Sequence, residues 1–233
     1  MEIGGLQKTT LIDYPGKIAC TIFLIGCNFR CPFCYSAELV LPEKIKNQPR
    51  IDKKELFRFL KERQKYLEGV VICGGEPTIH SDLSDFLLQI KKMGYLIKLD
   101  TNGTQPDVIK KLIDKKLVDY IAMDIKAPLE EEKYAAASGV KVDLEKIRQS
   151  IALIKNSGID YEFRTTVVPT IHQLEDILNI AQAIAPAQKF YLQNFRPEKT
   201  LNENLLQVKP FSETDLEMIL EKIKNLFEEC KIR

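Results

Sequence analysis

Three of the chain's six cysteines fall within eight residues, as Cys27-Asn-Phe-Arg-Cys31-Pro-Phe-Cys34. Disulfide frameworks suit short secreted chains, whereas thiols clustered this tightly in a longer chain read as metal ligands. Three thiolates without a fourth nearby suit a four-iron cluster with one iron open to another ligand. Zinc competes, but structural zinc wants four closed ligands. Cys20, Cys73 or a histidine could supply the fourth, although His80 and His172 lie in neither C-x-x-C nor H-x-x-x-H spacing. Cys20 in IACTIFLIG, Cys73 in VVICGG and Cys230 on an apolar helical stripe read instead as small buried hydrophobes. No Ser/His/Asp or Cys/His nucleophile pairing and no phosphate-binding loop stands out.

The elements that would position the cysteine loop are legible from apolar patterning. Lys17–Gly26, Val70–Cys73, Tyr95–Asp100, Val118–Ile125, Tyr161–Val168 and Phe190–Asn194 read as buried strands, each followed by a helical pattern. Asp52 with Glu55 resembles a capping box ahead of Leu56, Phe59 and Leu60. Val108, Ile109, Leu112 and Ile113 keep helical spacing, as do Leu144, Ile147, Ile151 and Ile154, and Leu174, Ile177, Leu178 and Ala181. The last helix is expected to be capped by Ser212 and to run along Leu216, Ile219, Leu220, Ile223, Leu226, Phe227 and Cys230.

Strand–helix alternation of this kind predicts an α/β fold, a parallel sheet with right-handed crossovers. Six units suggest a partial (βα)6 barrel; an open doubly wound sheet would show the same alternation. One domain over 1–233 is expected, with 1–16 as a lead-in, 17–195 as the core and 196–233 as a loop and C-terminal helix. The connections Leu41–Arg50 and Arg196–Phe211 read as solvated loops, with a substrate-facing lid as the alternative.

Active sites of parallel α/β folds collect at the C-terminal ends of the strands. The first strand runs into the cysteine loop and the second ends in Gly74-Gly75-Glu76-Pro77. The third ends in Asp100-Thr101-Asn102-Gly103, the fourth in Asp124-Ile125-Lys126. The fifth carries Arg164-Thr165-Thr166 and the sixth ends in Gln193-Asn194. One polar ending is ordinary turn chemistry, but six in succession predict a ring of polar groups around one mouth.

Composition narrows the function classes. The 233 residues carry 34 Lys+Arg against 33 Asp+Glu, which argues against a generic nucleic-acid or membrane-surface binder. With 45% hydrophobic residues, 11 Phe and 8 Tyr, bulk disorder is excluded. The longest apolar-looking stretch, Ile18 to Cys27, is about half of the ~20 residues that span a bilayer. The opening MEIGGLQKTTLIDYPG lacks a basic region followed by an apolar run. A soluble cytoplasmic protein is expected.

Cys27-x3-Cys31-x2-Cys34, with Phe33 before the last cysteine, resembles the cluster motif of radical S-adenosylmethionine enzymes, and Gly74-Gly75-Glu76-Pro77 resembles their methionine-binding motif. Asp100-Thr101-Asn102-Gly103 and Asp124-Ile125-Lys126 resemble signatures of the enzymes that activate glycyl-radical enzymes. The opening GGLQKTTLIDYPGK is similar to the branch that activates anaerobic ribonucleoside-triphosphate reductase, and resembles the pyruvate formate-lyase activating enzyme more loosely. Tyr35-Ser36 follow Cys34 where many relatives of that branch carry His-Asn. The resemblance implies a [4Fe-4S] cluster on Cys27, Cys31 and Cys34, and reductive cleavage of S-adenosylmethionine to a 5′-deoxyadenosyl radical that takes a glycine Cα hydrogen. It also implies a glycyl-radical enzyme as partner and a flavodoxin or ferredoxin as electron donor.

In the same terms Gly74, Gly75 and Glu76 hold the methionine amine, with the glycines letting the backbone approach closely. Lys126 and Arg164 meet the methionine carboxylate, Arg as a fork and Lys as a point charge. Asp100, Thr101 and Asp124 contact the ribose or a monovalent cation, or simply cap. Phe33 lines the adenine or shields the cluster. Asp13 touches the incoming glycyl loop or sits in a plain turn. His80 and His172 read as structural, and Arg30 as solvated. Two other readings stay open: a radical enzyme acting on a small molecule or peptide, such as a deazapurine synthase, and a zinc-stabilised interaction module with no enzymatic role.

Overall fold

A computed structural model describes all 233 residues. They divide into two compact units, one of Met1–Asn28, Glu38–Thr101 and Gln105–Ile121, the other of Phe29–Ala37, Asn102–Thr104 and Ala122–Arg233.

In the first unit, β1 (Ile3–Thr10) runs antiparallel to β2 (Ala19–Leu24). The short helices α1 (Ala37–Val40) and α2 (Pro42–Ile45) follow, then α3 (Lys53–Arg63), β3 (Gly69–Gly74), α4 (Leu83–Lys92), β4 (Leu96–Thr101) and α5 (Pro106–Asp114). β2 pairs in parallel with β3, from Ala19 opposite Gly69 to Leu24 opposite Gly74, and β3 pairs in parallel with β4. That register sets the C-terminal ends of β2 and β3 level, so the segments leaving them start side by side. Ala19, Cys20, Ile22 and Leu24 are all fully buried, which is why β2 reads as a continuous apolar run rather than an alternating one. The Asp52 carboxylate accepts from the backbone N–H groups of Lys54 and Glu55 and so caps α3, while Leu56 and Leu60 bury its inner face.

β5 (Tyr120–Asp124) carries the division between the units. In the second unit come α6 (Glu131–Ser138), α7 (Leu144–Lys155), β6 (Asp160–Val167), α8 (Leu174–Ile184), β7 (Ala187–Asn194), α9 (Glu213–Ile223) and β8 (Phe227–Ile232). β6 pairs in parallel with β7, Phe163 opposite Phe190 and Val167 opposite Asn194. β7 pairs in parallel with β8, Ala187 opposite Phe227 and Leu192 opposite Ile232.

The fold is α/β with parallel strands, and each of the six expected strands is present. Three expectations need correction. Residues 1–16 hold a strand, β1, which sequence periodicity misses because Gly4 and Gly5 weaken it and Gln7, Lys8 and Thr9 are all exposed. The Leu41–Arg50 connection contains α2, begun by Pro42, whose preset φ suits a first helical turn. The C-terminal helix stops at Ile223. Leu226, Phe227 and Cys230 keep helical spacing, yet Phe227–Ile232 form β8 and cover the edge that β7 would otherwise leave unpaired. The Phe227 ring packs on Phe190 at 5.1 Å between centroids, a cross-strand contact that outweighs local propensity. The Ser212 cap is as expected, its Oγ accepting from the Asp215 N–H. No helix is long and apolar enough to cross a membrane.

Candidate active site

In the first unit, the ends of β2 and β3 are laced together by their backbones. The Gly75 N–H donates to Leu24 O at 2.8 Å and the Glu76 N–H to Gly26 O at 2.8 Å. Gly26 immediately precedes Cys27, so this lacing holds the entrance of the cysteine loop. A Cβ on Gly75 would overlap the Gly26 carbonyl, and one on Gly74, whose φ is +110°, would overlap the Leu24 backbone. Close backbone approach therefore explains both glycines.

Glu76 is 1% exposed. Its Oε1 accepts from the Thr78 N–H at 3.0 Å, the Thr78 hydroxyl at 2.5 Å and the Thr101 hydroxyl at 2.8 Å. The carboxylate thus ties the end of β3 to the end of β4, and Thr101 serves this tie. Thr78 escapes the motif reading; its signal is the Glu-Pro-Thr order, a carboxylate capping a turn that opens with proline. Asp100 accepts from Lys98 Nζ at 2.6 Å. Lys98, 1% exposed, escapes it too, although a lysine inside an apolar strand is itself a signal. Asp13 accepts from the Thr21 hydroxyl at 2.6 Å, which anchors the turn between β1 and β2.

His80 is half-buried, and burial together with the Met1 amine holds its imidazole below the usual range. Its Nε2 is buried with no hydrogen-bond partner.

In the second unit, Cys31 and Cys34 share one tight turn, closed by the Cys34 N–H donating to Cys31 O at 3.0 Å. Lys126 and Asp124 act on Cys31, with Arg164 paired to Asp124 and Phe33 beside Lys126. Lys126 Nζ donates to Asp124 Oδ2 at 2.9 Å and Arg164 Nε to Asp124 Oδ1 at 2.9 Å. The Phe33 ring centroid lies 6.0 Å from Lys126 Nζ, within reach of a cation–π attraction. Burial pushes the Asp124 carboxyl up, but Arg164 and Lys126 outweigh it and hold it well below the usual range. Burial pushes the Lys126 ammonium down, and the Asp124 carboxylate outweighs that and keeps it firmly charged. Cys31 is 7% exposed, and burial raises its thiol to about 11 against the pull of Lys126.

The Arg196–Phe211 connection is fastened to this cysteine turn. The Arg196 N–H donates to the Tyr35 hydroxyl at 2.9 Å, and the Asn202 N–H to Pro32 O at 2.9 Å. Arg30 belongs to the same loop, and its backbone N–H donates to Ser138 O at 2.8 Å.

His172, 1% exposed, bridges two backbones. Its Nδ1 accepts from the Val168 N–H at 3.0 Å, so Nε2 carries the proton and donates to Lys126 O at 2.7 Å. It fixes the main chain at Lys126, a structural role as expected. Burial holds this imidazole below its ordinary 6.5, and a second proton on Nδ1 would face the Val168 N–H. The unfolded chain therefore binds that proton more readily, and stability present above pH 6.5 is lost as pH falls through that value. His172→Ala should cost about 1–3 kcal/mol near neutral pH, because it leaves the Val168 N–H and Lys126 O unpaired. It should also flatten the fall in urea midpoint between about pH 8 and about pH 5. Parallel pH profiles for the two proteins would refute this role.

The remaining cysteines behave as hydrophobes. Burial raises Cys20 and Cys230 to about 12, and Cys73 packs on the cluster of Tyr14, Ala19, Val71 and Tyr120. None of the six forms a disulfide. No three His, Cys, Asp or Glu side chains are gathered as a ready-made metal cage, so the fit to an iron–sulfur cluster rests on donor chemistry. Cys31 and Cys34 on one tight turn offer soft thiols, Lys126 supplies a positive charge beside Cys31, and a metal would displace the thiol proton that burial retains. Two soft thiols beside a cation suit iron–sulfur ligation.

The family model described as the radical SAM superfamily matches residues 21–183. A Methanocaldococcus jannaschii protein named "Putative glycyl-radical enzyme activating enzyme" is 32% identical over 239 residues, covering 99% of this chain and 95% of that protein. A second protein of that organism, with the same description, is 29% identical over 187 residues, covering 78% of this chain and 68% of its own length. Among solved structures, Streptococcus suis SuiB superposes with a TM-score of 0.65 at 15% identity, over 91% of this chain and 50% of SuiB. The chain thus spans half of SuiB's length, and the likeness is one of fold.

Proposed function

The chain belongs to the radical SAM superfamily, and from that premise we propose that it activates a glycyl-radical enzyme by removing a hydrogen from a glycine Cα. The observation that carries this reading is the end-to-end similarity to a protein named for that activity, 32% identical over 99% of the chain. The family uses a [4Fe-4S] cluster with S-adenosylmethionine; an electron from the donor, passed through the cluster, would be spent in splitting the cofactor into methionine and a carbon-centred radical able to take a hydrogen atom.

In this reading Cys27, Cys31 and Cys34 hold the cluster. Gly74, Gly75 and Glu76 present the backbone that receives the methionine amine, with the buried Glu76 carboxylate bracing that turn through Thr78 and Thr101. Lys126 and Arg164, pre-set by Asp124, receive the methionine carboxylate. Phe33 lines the adenine. Asp100 and Asp124 face the ribose or a monovalent cation, and Asp13 meets the glycyl loop. The partner is an anaerobic ribonucleotide reductase, the electron donor a flavodoxin or ferredoxin, and the compartment the cytoplasm.

The test is to mix anaerobically reconstituted, reduced protein with S-adenosylmethionine and an anaerobic ribonucleotide reductase. Formation of 5′-deoxyadenosine with a glycyl-radical doublet in electron paramagnetic resonance is the expected result. Cleavage without the doublet would overturn the partner, and an uncleaved cofactor would overturn the activity.

A further inference from the structure

A chain of alternating charges runs from the end of β5 through β6 to the residue that follows β8. Glu162 and Arg164 are two apart on β6 and so share one face. Glu162 is buried, its side chain 1% exposed. The Arg233 N–H donates to Leu192 O at 2.8 Å, which continues the pairing of β8 on β7. The Arg233 guanidinium lies 3.4 Å from the Tyr191 ring centroid and meets Glu162 with both terminal nitrogens, Nη1 to Oε1 at 3.3 Å and Nη2 to Oε2 at 3.5 Å. From the other side, Arg164 Nη1 stands 3.7 Å from Glu162 Oε1. Arg164 Nε donates to Asp124, which also accepts from Lys126.

Arg164 is therefore hydrogen-bonded to Asp124 at Nε and ion-paired with Glu162 at Nη1. The hydrogen bond orients the guanidinium and the ion pair biases it further, and that orientation decides whether a carboxylate can be received as a fork. A buried carboxylate has a desolvation cost of several kcal/mol, and here two guanidinium groups, those of Arg164 and Arg233, stand beside the Glu162 carboxyl to offset it. Arg233, stacked on Tyr191, holds Glu162 in turn.

We propose that Glu162 and Arg233 are positioning residues that set the Arg164 guanidinium to receive the carboxylate of S-adenosylmethionine. This rests on the reading above, in which Arg164 meets that carboxylate. Neither residue touches the cofactor; both act through Arg164. The prediction is a loss of carboxylate recognition rather than a general loss of binding.

The experiment measures equilibrium binding of S-adenosylmethionine and of decarboxylated S-adenosylmethionine to iron-loaded protein, with iron content and thermal midpoint recorded for each variant. Arg233→Met should reduce the preference for the carboxylated ligand roughly 10-fold, the scale on which orienting partners act on a ligand-binding group. Iron content and affinity for the decarboxylated analogue should stay at wild-type levels, and Arg233→Lys, which keeps a charge on Glu162, should restore part of the preference. Glu162→Gln carries the same readout should Arg233→Met fail to fold. An unchanged preference in Arg233→Met beside a reduced one in Arg164→Ala would overturn the proposal, as would an equal loss for both ligands. An unchanged preference in Arg164→Ala would overturn it through its premise. Wild-type protein that binds neither ligand would instead overturn the proposed function.

Discussion

Cys31→Ala protein is expected to retain almost no iron after anaerobic reconstitution and to form no 5′-deoxyadenosine. Removing one buried SH group and leaving a methyl costs about 1 kcal/mol of packing, small beside the roughly 5–15 kcal/mol that holds a domain folded. The chain should therefore fold and still lose its metal. Cys31 is buried, shares a turn with Cys34 and has the Lys126 ammonium among its neighbours. With its thiol raised to about 11, it stays protonated at neutral pH until a metal takes the proton's place. Removing it leaves Cys27 and Cys34 as the motif's remaining thiols, too few for a cluster whose irons are held by three. Iron per chain, read beside the thermal midpoint, decides the matter. Iron near the wild-type level would remove Cys31 from the ligand set.

Gly75→Ala should be the most damaging single-methyl change near the site, destabilising the protein by about 3 kcal/mol or more. The added Cβ would overlap the Gly26 carbonyl, and backbone cannot yield as the tip of a flexible side chain can. Relief would require breaking the Gly75-to-Leu24 and Glu76-to-Gly26 hydrogen bonds, which join the two segments leading into the cysteine loop and the Glu76 turn. Iron retention should fall with stability, because Cys27 follows Gly26 directly. Gly16→Ala is the control. Gly16 has a φ of +70° with open space around it, so a methyl there costs only about 1 kcal/mol of backbone strain. Equal urea midpoints for the two variants would show that the close approach at Gly75 does not constrain the fold.

Both variants change residues whose spacing along the chain already marks them. The cysteine triplet, the Gly-Gly-Glu-Pro turn and the polar strand ends are local patterns, and a buried parallel strand is a contiguous apolar run that announces itself. Lys126 and Asp124 can be placed together from their spacing on one strand end. Their link to Arg164, 40 positions away, cannot, because it depends on how β6 is placed relative to the end of β5.

What the sequence determined by itself was the six strands β2 to β7, the caps of α3 and α9 and the identity of the chemical groups, since each is encoded within a few consecutive residues. What tertiary structure alone decided were the partners over long separations. Those include the His172 bridge to Lys126 O, 46 residues away, and the Arg233 clasp on Glu162, 71 residues away. The conversion of Phe227–Ile232 from an apparent helical stripe into β8 belongs with them. In that segment the helical period and the strand are both available locally, and the unpaired edge of β7 selects the strand. Spacing along a chain specifies which face a residue occupies, whereas the partner on that face is set by register between strands, which no local period records.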